Sequence, residues 1–269
     1  MNRLINHQKM LEYELLLPYS NIFCFSTQRA GGVSRGAYAS MNCTPYTGDD
    51  PEAVRRNRSL LLDLLPKPAQ LVIPVQTHST EVLTIDEAFL SLTDEAQQAR
   101  LQGVDALTTN VLGVCLCIST ADCVPVMMYD TAHQVVAVAH AGWRGTVGRI
   151  VEKTLARMAE QYGTQGAEVV ACIGPSISLE AFETGEEVYQ TFQAQGFDMS
   201  RIARRNETTG KWHLDLWQAN VDQLTHCGVQ PSAIEVCGIC TYKEVATYFS
   251  ARRLGVKSGR ILSGMMLKK

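Results

Sequence analysis

The sequence predicts an α+β or layered α/β protein with a partly antiparallel sheet, on three observations. Short apolar and β-branched runs bounded by Gly, Asp, Asn or Ser recur along the chain. Amphipathic helical segments fall among them without strict βαβ alternation, which disfavours a regular Rossmann arrangement. The composition, 46% hydrophobic and 19% charged, suits a chain that buries a full core. No internal repeat, low-complexity tract or Pro/Ser-rich linker divides the 269 residues, so a single domain, 1–269, is expected.

Residues 22–25 read as a strand that runs into TQRAGGVSRGAYASMN, too rich in Gly and Ser for a regular element. Asp50 and Pro51 form an N-cap and first-turn pair for a helix over 51–65, whose apolar face carries Val54, Leu61, Leu64 and Leu65. Strands are expected at 71–75, 82–85, 104–109, 113–119, 124–129 and 134–139. A helix over 146–161 follows, with Val147, Ile150, Val151, Leu155 and Met158 on one face and Gly163 beyond it. Residues 169–174 form another buried strand. Thr184-Gly-Glu-Glu187 has capping-box spacing for a helix ending near Gly196, and Asp215-Leu-Trp-Gln218 repeats the device for one stopping at Gly228. Residues 233–239 and 246–250 supply the last strands.

A net charge of −3 with no densely basic stretch leaves no electrostatic footprint for nucleic acid or an anionic membrane, so a small molecule is the expected ligand. Glu12 and Glu14 interrupt the apolar N-terminal segment, and no run reaches the length of a membrane span; a cytoplasmic location is expected. Nine cysteines, an odd number without framework spacing, fit reduced thiols.

Three polar residues stand directly after apolar strand runs: His78, Cys123 and His140. Two imidazoles and a thiolate are a ligand set of catalytic zinc, leaving a fourth position open. Spacing alone favours the plainer reading of the same residues as hydrogen-bonded histidines and a small core cysteine. Around His140, AHAGWRGTVG places Arg144 among Gly142, Gly145 and Gly148, either as an anion site at a helix start or as a tight turn whose glycines permit close packing. Arg29 in QRAGGVS can grip an anion or remain solvated. Asp122 can serve as general base, as partner to a ligand, or as a turn residue accepting backbone hydrogen bonds. Cys237-Gly-Ile-Cys240 lacks the context of a redox pair, and Cys115 with Cys117 reads as core. His7, His133, His213 and His226 enter no such constellation, and Arg55, Arg56 and Arg58 read as a solvated helix face.

In chain order, TQRAGGVS, DDPEAVRRNR, QTHS, DALTTN, TADCVPV, AHAGWRG, CIGPSIS with FETGEEV, HLDL, CTY and YFSARR resemble the YfiH/YlmD-type family. Its members are variously described as polyphenol-oxidase (laccase) domain proteins, peptidoglycan-editing factors and purine nucleoside phosphorylases. The resemblance spans about residues 20–260. It implies a single-domain, four-layer α/β/β/α fold related to the cysteine-hydrolase fold of a bacterial cytotoxic necrotizing factor. It further implies zinc, or copper, held at His78, Cys123 and His140, and phosphorolysis of adenosine, inosine and methylthioadenosine together with adenosine deamination. The family's Phe-Ser-Tyr-Arg-Arg-Asp stretch is here Phe249-Ser250-Ala251-Arg252-Arg253-Leu254, Ile239 replaces a usually polar residue, and Cys237 is an addition.

As a zinc nucleoside enzyme the chain would activate water for attack on C6 of adenine, with Asp122 the nearest carboxylate for proton transfer. Phosphorolysis needs an anion site, for which Arg29 and Arg144 are the substrate-binding candidates. In the alternative, Cys123 is a nucleophile activated by His140 or His78 in a metal-free amide hydrolase that edits peptidoglycan precursors. A laccase-type polyphenol oxidase gathers several coppers through about ten histidines, and this chain has six.

Overall fold

The computed structural model describes residues 4–5 and 10–269, leaving His7 outside the described residues. The chain passes through β1 (Leu4–Ile5), β2 (Met10–Leu11) and β3 (Ile22–Thr27), beyond which the Gly/Ser-rich segment stays irregular. Asp50 caps α1 (Pro51–Leu62) by accepting from Glu52 N at 3.0 Å. The helix ends at Leu62, short of the expected 65, because Leu64 N and Leu65 N turn back to Leu61 O and Leu62 O in tighter i to i−3 bonds. Next come β4 (Gln70–Val72), β5 (Glu81–Thr84), α2 (Glu87–Leu90) and α3 (Asp94–Arg100). β4 stops before Pro74, which has no N–H for a ladder, and Val75 keeps only an isolated bridge to Gln102.

The four strands that follow, β6 (Val104–Thr109), β7 (Val114–Thr120), β8 (Val124–Asp130) and β9 (Val135–Ala141), are buried along their whole length. Val114, Leu116 and Ile118 enter one core while Cys115 and Cys117 enter another; on β9, Val136 and Val138 face opposite to Ala137 and Ala139. Both faces are apolar, so these strands read as continuous hydrophobic runs. β9 extends past the expected 139, which places His140 inside the strand, opposite Pro125, instead of after it.

The expected helix over 146–161 is two helices, α4 (Trp143–Val147) and α5 (Ile150–Tyr162). Between them Arg149 takes a left-handed φ of 65°, and a side-chain carbon at Gly148 would meet Thr80 Cγ2 at 2.6 Å. The remainder comprises β10 (Val169–Ile173), β11 (Glu183–Thr184), α6 (Glu186–Ala194), α7 (Met199–Ile202), β12 (Ala203–Arg205), β13 (Trp212–Leu214), α8 (Leu216–His226), β14 (Ile234–Val236), α9 (Ala251–Leu254) and β15 (Ile261–Leu267). Thr184 belongs to β11 and does not cap α6, where Gly185 takes the cap position. Asp215 does cap α8 by accepting from Gln218 N at 3.0 Å, but the Gln218 side chain turns to Asp222, so only half of that capping box forms. Residues 246–250 are turns, not a strand: Tyr248 and Phe249 are buried through packing with Ile261.

Three sheets result, with orders β1-β2-β3-β15-β7-β4, β14-β10-β8-β9-β6-β5 and β11-β13-β12. β15, unforeseen in the sequence, is central to the first, antiparallel to both β3 and β7. The second is mixed: β10 pairs antiparallel with β8 and parallel with β14. Leu116, Ile118 and Met265 of the first sheet meet Met127, Val136 and Val138 of the second in a shared core. Each such side chain contributes about 1.5–3 kcal/mol on burial. Leu61 of α1 packs with Cys115, Cys117 and Met266 on the first sheet's other face, and Ile150, Leu155 and Leu224 pack on Ala137, Ala139 and Ala171 of the second. The chain is one mixed α/β domain. No helix among the described residues is long and apolar enough to cross a membrane.

Candidate metal centre

Asp105 stands fully buried on β6, between Val104 and Ala106. A carboxylate taken out of water must be paired. Its Oδ2 accepts from Thr77 N at 3.1 Å and Ser79 N at 2.8 Å, and its Oδ1 accepts from His78 N at 3.1 Å. The same Oδ1 lies 2.6 Å from His140 Nδ1. One side chain therefore fixes the 77–79 loop and the ring of His140. Burial pushes the Asp105 carboxyl up, but His140 and Ser79 outweigh it and hold it below the ordinary carboxylate range.

The loop is also anchored at its start. Gln76 Oε1 accepts from Ser119 N at 2.7 Å, and Gln76 Nε2 donates to Ser119 O at 3.0 Å, so this side chain pairs with the end of β7. Tyr46 Oη donates to the same Gln76 oxygen at 3.0 Å. His78 then takes a left-handed φ of 62°, and Asp122, in the turn between β7 and β8, one of 85°. Such conformations cost non-glycine residues roughly 1–3 kcal/mol each and persist where surrounding bonds enforce them.

Cys123 follows Asp122, and its Sγ lies 3.7 Å from His78 Nε2. The ligating atoms of His78, Cys123 and His140 all lie within 4.8 Å of one another, and the two imidazole centroids are 4.9 Å apart at 61°. Tetrahedral zinc with bonds of about 2.0–2.3 Å spaces its donors by about 3.4–3.7 Å, so the cluster needs only a slight contraction. With Nδ1 of His140 taken by Asp105, Nε2 is its ligating atom, the arrangement in which a carboxylate sets the tautomer of a metal-bound histidine. Space is kept for the three donors by Gly142, where a side-chain carbon would lie 2.9 Å from both Cys123 Sγ and His78 Cδ2. Gly145 does the same against His140 O and Gly148 against Thr80. The glycines of AHAGWRGTVG thus serve close packing of α4 on the site.

Burial opposes ionisation of the Cys123 thiol, but His140 and then His78 outweigh it and bring it down to about 6. His140 responds in kind: burial disfavours its charge, while Cys123 and Asp105 raise it to about 9. Without metal, the pair is a thiolate beside an imidazolium. His140 is 3% exposed, Cys123 half-buried and His78 exposed, so the cluster opens to solvent on the His78 side.

The other sequence candidates take distinct places. Arg29 donates through Nε to Ala39 O at 2.7 Å and through Nη1 to Val245 O at 2.8 Å, tying the Gly/Ser-rich loop to the 245–249 turn. Arg144 is exposed, its guanidinium 4.3 Å from the Trp143 ring centroid. Asp122 turns its Oδ1 to Thr241 Oγ1 and its Oδ2 to Arg252 N, both at 2.7 Å. Asp105, Gln76 and Tyr46 were not singled out in the sequence. The available signal was an aspartate inside an otherwise apolar strand run. Arg260, also unforeseen, is half-buried and electrostatically coupled to Cys123, Tyr46 and Asp122; burial lowers its pKa, and these groups oppose the shift.

Two imidazoles and a thiolate, backed by a carboxylate, form a three-donor cluster that could hold a metal ion, the number of protein ligands found where a coordination position is left for chemistry. Over residues 23–268 the sequence matches the family described as multi-copper polyphenol oxidoreductase laccase, and the chain belongs to that family. It is 58% identical over 263 residues to a purine nucleoside phosphorylase of Bacteroides thetaiotaomicron, covering 97% of each chain. It is 42% identical over 245 residues to adenosine deaminase RL5 of an unknown prokaryotic organism, covering 91% of this chain and 93% of that one. The crystal structure of YlmD from Geobacillus stearothermophilus superposes with a TM-score of 0.89 at 29% identity, covering 100% of this chain and 99% of that one. The YfiH/YlmD resemblance read from the motifs is borne out.

Proposed function

We propose that the chain is a cytoplasmic, zinc-dependent purine nucleoside phosphorylase that also deaminates adenosine, accepting adenosine, inosine and methylthioadenosine. The observation that carries the reading is its 58% identity, over nearly the full length of both chains, to a purine nucleoside phosphorylase. The deaminase relative at 42% identity supports the second activity. Residues 1–269 act as one catalytic domain in this reading, with the four-layer α/β/β/α arrangement of a cysteine-hydrolase relative; helices packed on the outer faces of the two large sheets support it.

His78, Cys123 and His140 hold the ion in this reading. Zinc bound there would supply Lewis acidity and charge compensation at its open position. Asp105 keeps the proton on His140 Nδ1 and the ring in place. Arg144, exposed beside the site, binds phosphate, with Arg29 shaping the loop from behind through its two carbonyl bonds. Both oxygens of Asp122 are committed, so its part is to fix the 241–252 segment beside Cys123, and proton transfer falls to another group. The six histidines are too few for the copper set of a laccase.

The lowered Cys123 thiol beside a raised His140 favours one second reading, a metal-free thiolate–imidazolium hydrolase acting on amides of cell-wall precursors. Product analysis separates the two. Metal-quantified protein given adenosine should release adenine and ribose 1-phosphate when phosphate is present, and inosine with ammonia when it is absent. Activity on a peptide amide that zinc abolishes, with none on nucleosides, would favour the hydrolase.

A further inference from the structure

The hairpin that carries Cys123 and His140 at one end carries a second group of ligating side chains at the other. β8 runs from Val124 to Asp130, so the two ends are about 20 Å apart at ~3.3 Å per residue. At the far end the ligating atoms of Asp130, His133 and Glu168 all lie within 4.8 Å of one another. His133 Nδ1 is 2.9 Å from Asp130 Oδ2 and 3.7 Å from Glu168 Oε2. These spacings are close to those between neighbouring ligands of a transition-metal ion.

The backbone around the group is already fixed. Asp130 Oδ1 accepts from Ala132 N at 2.9 Å and His133 N at 3.0 Å, which uses one oxygen for the turn and turns Oδ2 toward His133. Thr131 N and Oγ1 both donate to Glu168 O at 3.0 Å, joining the hairpin turn to the start of β10. Independently of these three residues, Thr164 Oγ1 is buried, in a residue 6% exposed, and makes no hydrogen bond of normal geometry. It faces Asp130: burial pushes that carboxyl up, but the Thr164 hydroxyl and then His133 hold it down. The hydroxyl thus turns its O–H toward the buried carboxylate in a contact too poor for a hydrogen bond, and its own lone pairs meet no donor.

We propose that Asp130, His133 and Glu168 form a second binding site for a divalent transition cation of the zinc class, with Thr164 Oγ1 at its inner edge. Two carboxylates and a neutral imidazole present two negative charges to a doubly charged ion, a mixed oxygen and nitrogen set suited to zinc and its neighbours. Binding displaces the proton that His133 Nδ1 shares with Asp130. The site lacks a thiolate and is half open through His133, so it binds more weakly than the Cys123 centre. Its role is to clamp the β8–β9 turn to the start of β10, stabilising the hairpin on which the first centre is built.

The test titrates zinc alone into Cys123→Ala protein, in which the first centre is disabled. This variant should take up one ion per chain, with the thermal midpoint rising by about 5 °C at saturation. Cys123→Ala/His133→Ala should show neither effect. In parallel, wild-type protein preloaded with one zinc should bind a second, and Glu168→Gln should weaken that step at least about tenfold, the scale of losing one ligand. Uptake limited to one ion in the wild type, or a second ion indifferent to both His133→Ala and Glu168→Gln, overturns the proposal without bearing on the nucleoside activity.

Discussion

Asp105 Oδ1 sits 2.6 Å from His140 Nδ1 and 3.1 Å from His78 N, so a single buried carboxylate orients one candidate ligand by its ring and the other by its backbone. Asp105→Asn keeps the shape but loses the charge that holds His140 in the ligating tautomer. Metal affinity, measured by competition with a chelator, should fall about 10–100-fold. Asp105→Ala, which also strands three backbone N–H groups, should cost about 3–5 kcal/mol in denaturant unfolding.

Gly142 tests the space kept for the ion. Its φ of −62° suits any residue, so Gly142→Ala strains no backbone. The added carbon would press on Cys123 Sγ and His78 Cδ2 at 2.9 Å. The variant should fold, with an unchanged far-ultraviolet circular dichroism spectrum, and bind zinc at least about tenfold more weakly, the scale of a disturbed ligand shell.

Much of this was legible in the sequence, and the exceptions have identifiable causes. β6 to β9 could be read because both faces are apolar, and His78, Cys123 and His140 do converge, although His78 lies in a loop well past β4 and His140 within β9. β15 escaped because Ser263 and Gly264 interrupt its run. At Gly264 a side-chain carbon would lie 2.8 Å from Cys117 Sγ, so the glycine reports close packing, not a loop. Residues 246–250 carried the opposite error, since Tyr248 and Phe249 are buried by side-chain packing while their backbone turns. Asp105 lay hidden because its partners come from the 77–79 loop and β9, and no local spacing encodes that meeting.

Metal binding should depend on pH in a defined sense. In the metal-free site the Cys123 thiol ionises near 6, so it is already a thiolate above that pH, whereas His140 keeps its extra proton up to about 9. Binding between pH 7 and 8.5 must therefore expel about one proton from His140, and affinity should climb about tenfold per unit. Below 6 the thiol also carries a proton and the slope steepens. Metal-free protein should show the companion effect: Cys123 alkylation accelerates as pH rises through about 6, well below an ordinary thiol's midpoint of about 8.5.

Arg144 divides the two proposed activities. Arg144→Ala should raise the KM for phosphate about 10–100-fold, the worth of one or two charge-assisted hydrogen bonds. Adenosine deamination, which uses no phosphate, should keep its kcat. Equal loss of both activities would place Arg144 at the nucleoside instead.

The core between the two sheets sets the stability of everything above it. Leu116 is fully buried there, and Leu116→Ala should cost about 2–5 kcal/mol in urea unfolding. Residual folded protein should bind added zinc as the parent does, because the deletion lies on β7 away from the three candidate ligands.

The most direct measurement is X-ray absorption at the zinc edge of the purified protein with one ion bound. The account predicts one sulfur at about 2.3 Å and two imidazole nitrogens at about 2.0–2.1 Å, with the sulfur lost in Cys123→Ser. A shell of oxygen and nitrogen alone, or a spectrum that Cys123→Ser leaves unchanged, would contradict it.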